Sequence, residues 1–122
     1  MDLQSQLAFF YTKLKINPAY HIDNATGCHL YNGSVRNDGY CHITYKNELN
    51  TTTSITAHRA ALMVYRNRRL PRLQASHLCN VKTCINVHHL NLESNIINNQ
   101  RKTCVTQNRC LGHPGYPACI IT

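Results

Sequence analysis

A small α+β domain stapled by zinc is what this chain predicts, on three observations. Apolar residues recur at helical intervals near the start, the middle and residues 95–102; strand-like alternation with turn signals fills the space between; and cysteine and histidine crowd together in the last third. Leu3, Leu7, Phe10 and Leu14 predict an amphipathic helix over residues 3–15, stopped before Asn17-Pro18. Residues 28–46 alternate and carry the turn signals Asn32-Gly33 and Asn37-Asp38-Gly39, which predicts a pair of antiparallel strands. The Thr-rich stretch 47–54 reads as a loop or an edge strand. Ala57, Ala61 and Val64 mark a helix over 57–65 whose far end runs into Arg66, Arg68, Arg69 and Arg72, cations suited to a helix C-terminus. Residues 74–78 and 90–92 predict two short strands. Ser94 is an N-cap for a helix from Asn95 to about Lys102, with Ile96 and Ile97 expected on its buried side. Beyond Cys104, Gly112, Pro114, Gly115 and Pro117 exclude regular structure.

Composition narrows the function. The 122 residues fit one domain, and 43% apolar content with no Trp and two Phe gives a thin core that metal staples would help. We divide it as 1–75 (N-terminal helix, sheet and basic helix), 76–104 (the central motif) and 105–122 (the tail). Thirteen Lys and Arg against five Asp and Glu give a formal charge of +8, which suits a polyanion such as nucleic acid. Neither a signal peptide nor a membrane span is legible in MDLQSQLAFFYTKLK. The three Asn-x-Ser/Thr triplets at Asn24, Asn32 and Asn50 are what chance gives an Asn-rich chain. The expected location is intracellular, with no membrane partner.

Seven cysteines, an odd number, suit a closed disulfide framework poorly, and their mixing with histidine favours zinc in a reducing compartment. Cys79-x4-Cys84-x4-His89 supplies three ligands of one site, for which Cys28 and Cys41 both qualify by type as the fourth. Cys104, Cys110, His113 and Cys119 supply a second. Four protein ligands leave no open position, so both ions should be structural.

Ser76-His77-Leu78-Cys79, followed at fixed intervals by Cys84, His89-Leu90, Glu93-Ser94, Asn98 and Cys104, resembles the His-Cys box homing endonucleases, a branch of the HNH-like, ββα-metal (His-Me finger) nucleases. That resemblance implies Cys28 as the distant fourth ligand of the first zinc. It implies His77 as the general base and Asn98 as the ligand of one catalytic Mg²⁺, in an endonuclease that cuts double-stranded DNA to leave 5′-phosphate and 3′-hydroxyl ends. A cation against the scissile phosphate is also implied, with Arg59, Arg36 and Lys46 as candidates. The expected DNA-contacting residues are Arg36, Asn37, His42, Thr44, Lys46 and Arg59 with Arg68, Arg69 and Arg72 on phosphates. The alternative is a non-catalytic zinc module that binds nucleic acid. Members of this family act as two-fold dimers, and the expected surface here is the apolar stripe of the 3–15 helix, a monomeric nickase being the other possibility.

Overall fold

The computed structural model describes residues 1–120. Helix α1 (Leu3–Lys15) starts where the Asp2 carboxylate accepts from the Ser5 N–H, and Ile16 caps its end. Strand β1 (Tyr20–Ile22) pairs antiparallel with β2 (His29–Tyr31), and β3 (His42–Lys46) with β4 (Thr52–Thr56). Helix α2 (Ala57–Arg66) follows β4 directly and ends on Asn67 in the left-handed conformation. Strand β5 (Gln74–His77) pairs with β6 (Leu90–Glu93), a 3₁₀ turn at Val87–His89 lying between them, and α3 (Asn95–Gln107) completes the regular structure.

The core lies between α1, α2 and β3. Leu7, Phe10 and Leu14 pack with Ala60, Ala61, Met63, Tyr31, Ile43 and Ile85 in one buried cluster. Alanines on α2 let the two helices approach closely, and Phe10 meets Tyr45 edge-on at 4.9 Å. Each fully buried large side chain contributes about 1.5–3 kcal/mol. The apolar stripe of α1 is therefore spent on the core, and it offers no dimer surface as the sequence alone had implied.

Three further expectations change. Residues 28–46 do not form one strand pair. Beside β1, β2 bonds the metal loop, Tyr31 N–H donating to the Thr83 carbonyl (3.0 Å) and Ile85 N–H to the His29 carbonyl (2.7 Å). Between β2 and β3 only a single bridge forms, Val35 with Cys41. β3 turns instead to Thr52–Thr56, where four of five residues are β-branched and fit a pleated surface. Second, α3 runs five residues past Lys102 to Gln107, since nothing breaks it before Asn108 adopts the left-handed cap. Third, Ile96 is 71% exposed, Ile97 is half-buried, and the inward side of α3 carries Arg101 and Cys104. The helix turns its ligand and polar residues, rather than its isoleucines, toward the sheet. The short strand β1 and the 3₁₀ turn, each three residues, had no periodic signature to reveal them.

Candidate metal centres and cleft

Cys28, Cys79, Cys84 and His89 converge so that their ligand atoms all lie within 4.8 Å of one another, and Cys104, Cys110, His113 and Cys119 do the same. Cys28 is the fourth member of the first group, while Cys41 is buried elsewhere with its thiol toward the Gly33 carbonyl. In the first group His89 Nδ1 stands 3.6 Å from Cys28 Sγ and 3.7 Å from Cys84 Sγ. In the second, His113 Nε2 is 3.4 Å from both Cys104 Sγ and Cys119 Sγ. Tetrahedral zinc, with Zn–S near ~2.3 Å and Zn–N near ~2.0 Å, calls for ligand separations of this size.

The sequence builds the first centre locally. Gly27, at φ +76°, turns Cys28 inward, where a side chain would meet the His89 ring. The Asn86 amide clamps this turn by donating to the Gly27 carbonyl (3.0 Å), and Leu78 N–H donates to the His89 carbonyl (2.7 Å). Hydrogen bonding from Cys79 holds the Cys84 thiol down to about 4, while burial pushes Cys28 up. Three thiols this close ionise together only around a cation, so the donor set fits zinc.

In the second centre backbone N–H groups point at sulfur, Leu111 at Cys104 and Cys119 at Cys110, each at 3.3 Å. The Cys119 and Gly112 N–H groups hold the Cys110 thiol below its ordinary value. His113 Nδ1 donates to the Gln100 side-chain oxygen (3.1 Å), leaving Nε2 for the metal. Gln100 was not foreseen; it lies four residues before Cys104 on the same helix face.

A cleft of about 500 Å³ opens beside the first centre, and His77 and Asn98 both line it, with Asp38, Tyr40, His58, Arg59 and Lys82. His77 ends β5, and its Nε2 faces the Cys84 carbonyl at 2.9 Å. A carbonyl only accepts, so that nitrogen carries the proton and Nδ1 keeps a lone pair with no hydrogen-bond partner among the described residues. Burial lowers the His77 pKa, the Cys84 carbonyl opposing. His58, from α2, packs its ring 4.1 Å from that of His77 and donates from Nε2 to the Ala75 carbonyl (3.0 Å). Burial, with His77 adding, pushes His58 down to about 3. In the sequence His58 stands only as a residue of the 57–65 helix, with no spacing that ties it to His77.

Asn98 sits on the first turn of α3, and the Ser76 hydroxyl donates to its Oδ1 (2.8 Å). The β5–β6 register sets Ser76 opposite Asn91 and Gln74 opposite Glu93, so Ser76, Asn91 and Glu93 share one face. There Asn91 donates to Glu93 (2.9 Å) and Arg101 grips the same carboxylate through Nε (2.5 Å) and Nη2 (2.8 Å). Arg101 also donates to the Pro117 carbonyl and to Cys119 Sγ, joining the tail to the sheet. This buried chain was not anticipated, although Arg101 stands one helical turn after Asn98.

The basic candidates separate. Arg59 lines the cleft, but its two Nη atoms donate to the Leu73 and Pro71 carbonyls (2.7 and 2.8 Å). Arg36 reaches Ser54 Oγ (3.4 Å), and neither it nor Lys46 lines the cleft. His42 is tied to Asp38 (3.0 Å), Arg69 pairs with Glu48, and Asn37, Thr44, Arg68 and Arg72 are exposed. Among the described residues no helix is long and apolar enough to cross a membrane.

One family model, the zinc-binding loop region of homing endonucleases, matches residues 27–116, which take in the first centre, the cleft and three of the four residues of the second centre, Cys119 lying beyond the match. No curated protein and no solved structure matches the chain.

Proposed function

Since the chain belongs to the family of homing-endonuclease zinc-binding domains, we propose that it is a Mg²⁺-dependent endonuclease of double-stranded DNA whose cleft carries the reaction. One observation supports this most: the carbonyl of Cys84, itself a metal-site residue, fixes the His77 tautomer so that Nδ1 is the proton acceptor, and His77 lines a cleft shared with Asn98. His77 Nδ1 takes a proton from water as that water attacks phosphorus; the P–O3′ bond breaks and O3′ takes a proton from solvent water, leaving a 5′-phosphate and a 3′-hydroxyl. Asn98 Oδ1 is a neutral oxygen of the kind Mg²⁺ accepts, and a site with so few protein ligands fills together with the phosphate. Bound there, Mg²⁺ supplies charge relief to the phosphate and the leaving oxygen.

The outward face of β3–β4, with His42, Thr44 and Lys46 opposite Thr56, Ser54 and Thr52, is the two-stranded ribbon that reads a major groove, and Arg68 and Arg72 meet phosphates. Cleaving both strands takes two copies of the cleft, hence a homodimer joined through a surface other than the α1 stripe. Seven free cysteines suit a reducing, intracellular setting. Incubation with supercoiled plasmid, with and without Mg²⁺, tests the reading. Nicked or linear product that appears only with Mg²⁺ supports it; DNA retention without any cutting leaves a non-catalytic zinc module.

A further inference from the structure

Four cations line the cleft, and their attachments differ. Arg59 is held by two backbone carbonyls, and Arg101 is buried against Glu93. Lys102 is exposed on α3, and its ammonium makes no hydrogen bond or ion pair among the described residues. Lys82 stands apart. It belongs to the loop between Cys79 and Cys84, the loop whose carbonyl orients His77. Its ammonium lies 5.1 Å from the centre of the Tyr40 ring and spends one donor, on the Asp38 carbonyl (3.0 Å). The same Tyr40 ring stacks on His77 at 6.0 Å. The stem is fixed as well: Gly39, at φ +85°, is the bare surface it lies on, and a Cβ there would fall 2.9 Å from Lys82 Cδ.

We infer that Lys82 is the residue that binds the phosphodiester in this cleft, its ammonium presented by Gly39, Tyr40 and the zinc loop in the cleft that His77 also lines. This rests on the proposed nuclease reading, but the contact itself can be tested without cleavage. A preoriented ammonium at a site where phosphate oxygens gain charge costs no reorganisation during the reaction, whereas the unanchored Lys102 would have to be ordered first. Two ammonium protons remain for phosphate oxygens once Asp38 is served.

The test uses the zinc-loaded full chain and the variants Lys82→Met, Lys82→Arg and Lys102→Ala, each checked for zinc content and melting temperature. Met keeps the stem on Gly39 and removes only the charge. At saturating DNA, Lys82→Met should lower the single-turnover rate by ~10²-fold, with Lys82→Arg recovering to within ~10-fold of wild type. Lys102→Ala should keep its rate. In parallel, thymidylyl-3′,5′-thymidine, a single phosphodiester, is titrated while the Lys82 ammonium nitrogen and the His77 ring are followed by NMR. Saturable shifts at both, with the His77 shift lost in Lys82→Met and kept in Lys102→Ala, support the contact even if plasmid is never cut. In that case the nuclease reading fails alone. Wild-type cleavage by Lys82→Met, or no shift at Lys82 in the unmodified protein, overturns the inference.

Discussion

At His77 and Asn98 the local structure is unusually insulated from the chemistry: one ring nitrogen is tied to a backbone carbonyl, and the asparagine is held by a buried serine. Removing either side chain subtracts a reacting group and leaves the metal ligands in place. His77→Ala and Asn98→Ala are each expected to cut the cleavage rate by at least ~10²-fold while zinc content and DNA affinity hold. Gel-shift titration beside single-turnover assays checks this, and a mutant that cuts like wild type removes the residue from the mechanism. Glu93 behaves differently, since it serves the frame. It is 1% exposed; burial would raise its carboxyl, but Arg101, Ser76 and Asn91 outweigh that and hold it below the ordinary value. Arg101→Ala strands a buried carboxylate and should cost about 3–5 kcal/mol, read as a fall in denaturant midpoint at pH 7. Because the folded pKa is lowered, the carboxylate's stabilisation is full above the unfolded value of about 4.3 and is lost as pH falls through the folded one. The gap between wild type and Glu93→Gln should therefore narrow in acid; a gap that widens would contradict the ion pair.

Elements differ in how much of their placement their own residues decide. α1, α2, β5, β6 and the start of α3 were legible because each carries its periodicity and caps within a dozen residues; both ligand sets were legible because short Cys and His intervals constrain geometry directly. Strand partners were not. β3 alternates well, but alternation names a face and says nothing about which neighbour it meets, and β2 was taken up by the metal loop. Lys82, Gln100 and Arg101 were likewise hidden, since their meaning arises from contacts with Tyr40, His113 and Glu93 that no spacing rule encodes. Cysteine variants separate the elements experimentally. Cys79→Ser should unfold the chain, because structural zinc supplies on the order of 10 kcal/mol of folding free energy. Cys41→Ser, in the core but outside both ligand sets, should keep two zinc ions and lose only about 1–3 kcal/mol from its buried hydroxyl. A severe Cys41 variant beside a mild Cys28 variant would reverse the ligand assignment.

For the whole molecule, strand count on DNA decides assembly. With the α1 stripe spent on the core, a homodimer must use another face, and the ratio of linear to nicked plasmid, with light scattering on DNA, reports it. Linear product from a complex of two chains supports the dimer; nicked circles from a one-chain complex establish a nickase. The tail matters here in a further way. Ile120 N–H donates to the Leu78 carbonyl (2.7 Å), one residue before Cys79, while Arg101 reaches from Cys119 to Glu93 on β6. The two metal centres thus share one set of backbone and side-chain struts, and occupancy at either is expected to favour the arrangement the other requires. By reciprocity each ion raises the affinity for its neighbour by the same factor, typically about 5–150-fold for couplings of this kind. A half-loaded chain would then be less populated than independent centres would make it, and the protein would respond more steeply to falling zinc. Native mass spectrometry during chelator titration should show a one-zinc species whose peak stays below the roughly one half that independent, equal centres reach; a one-zinc peak at or above that level would count against the coupling.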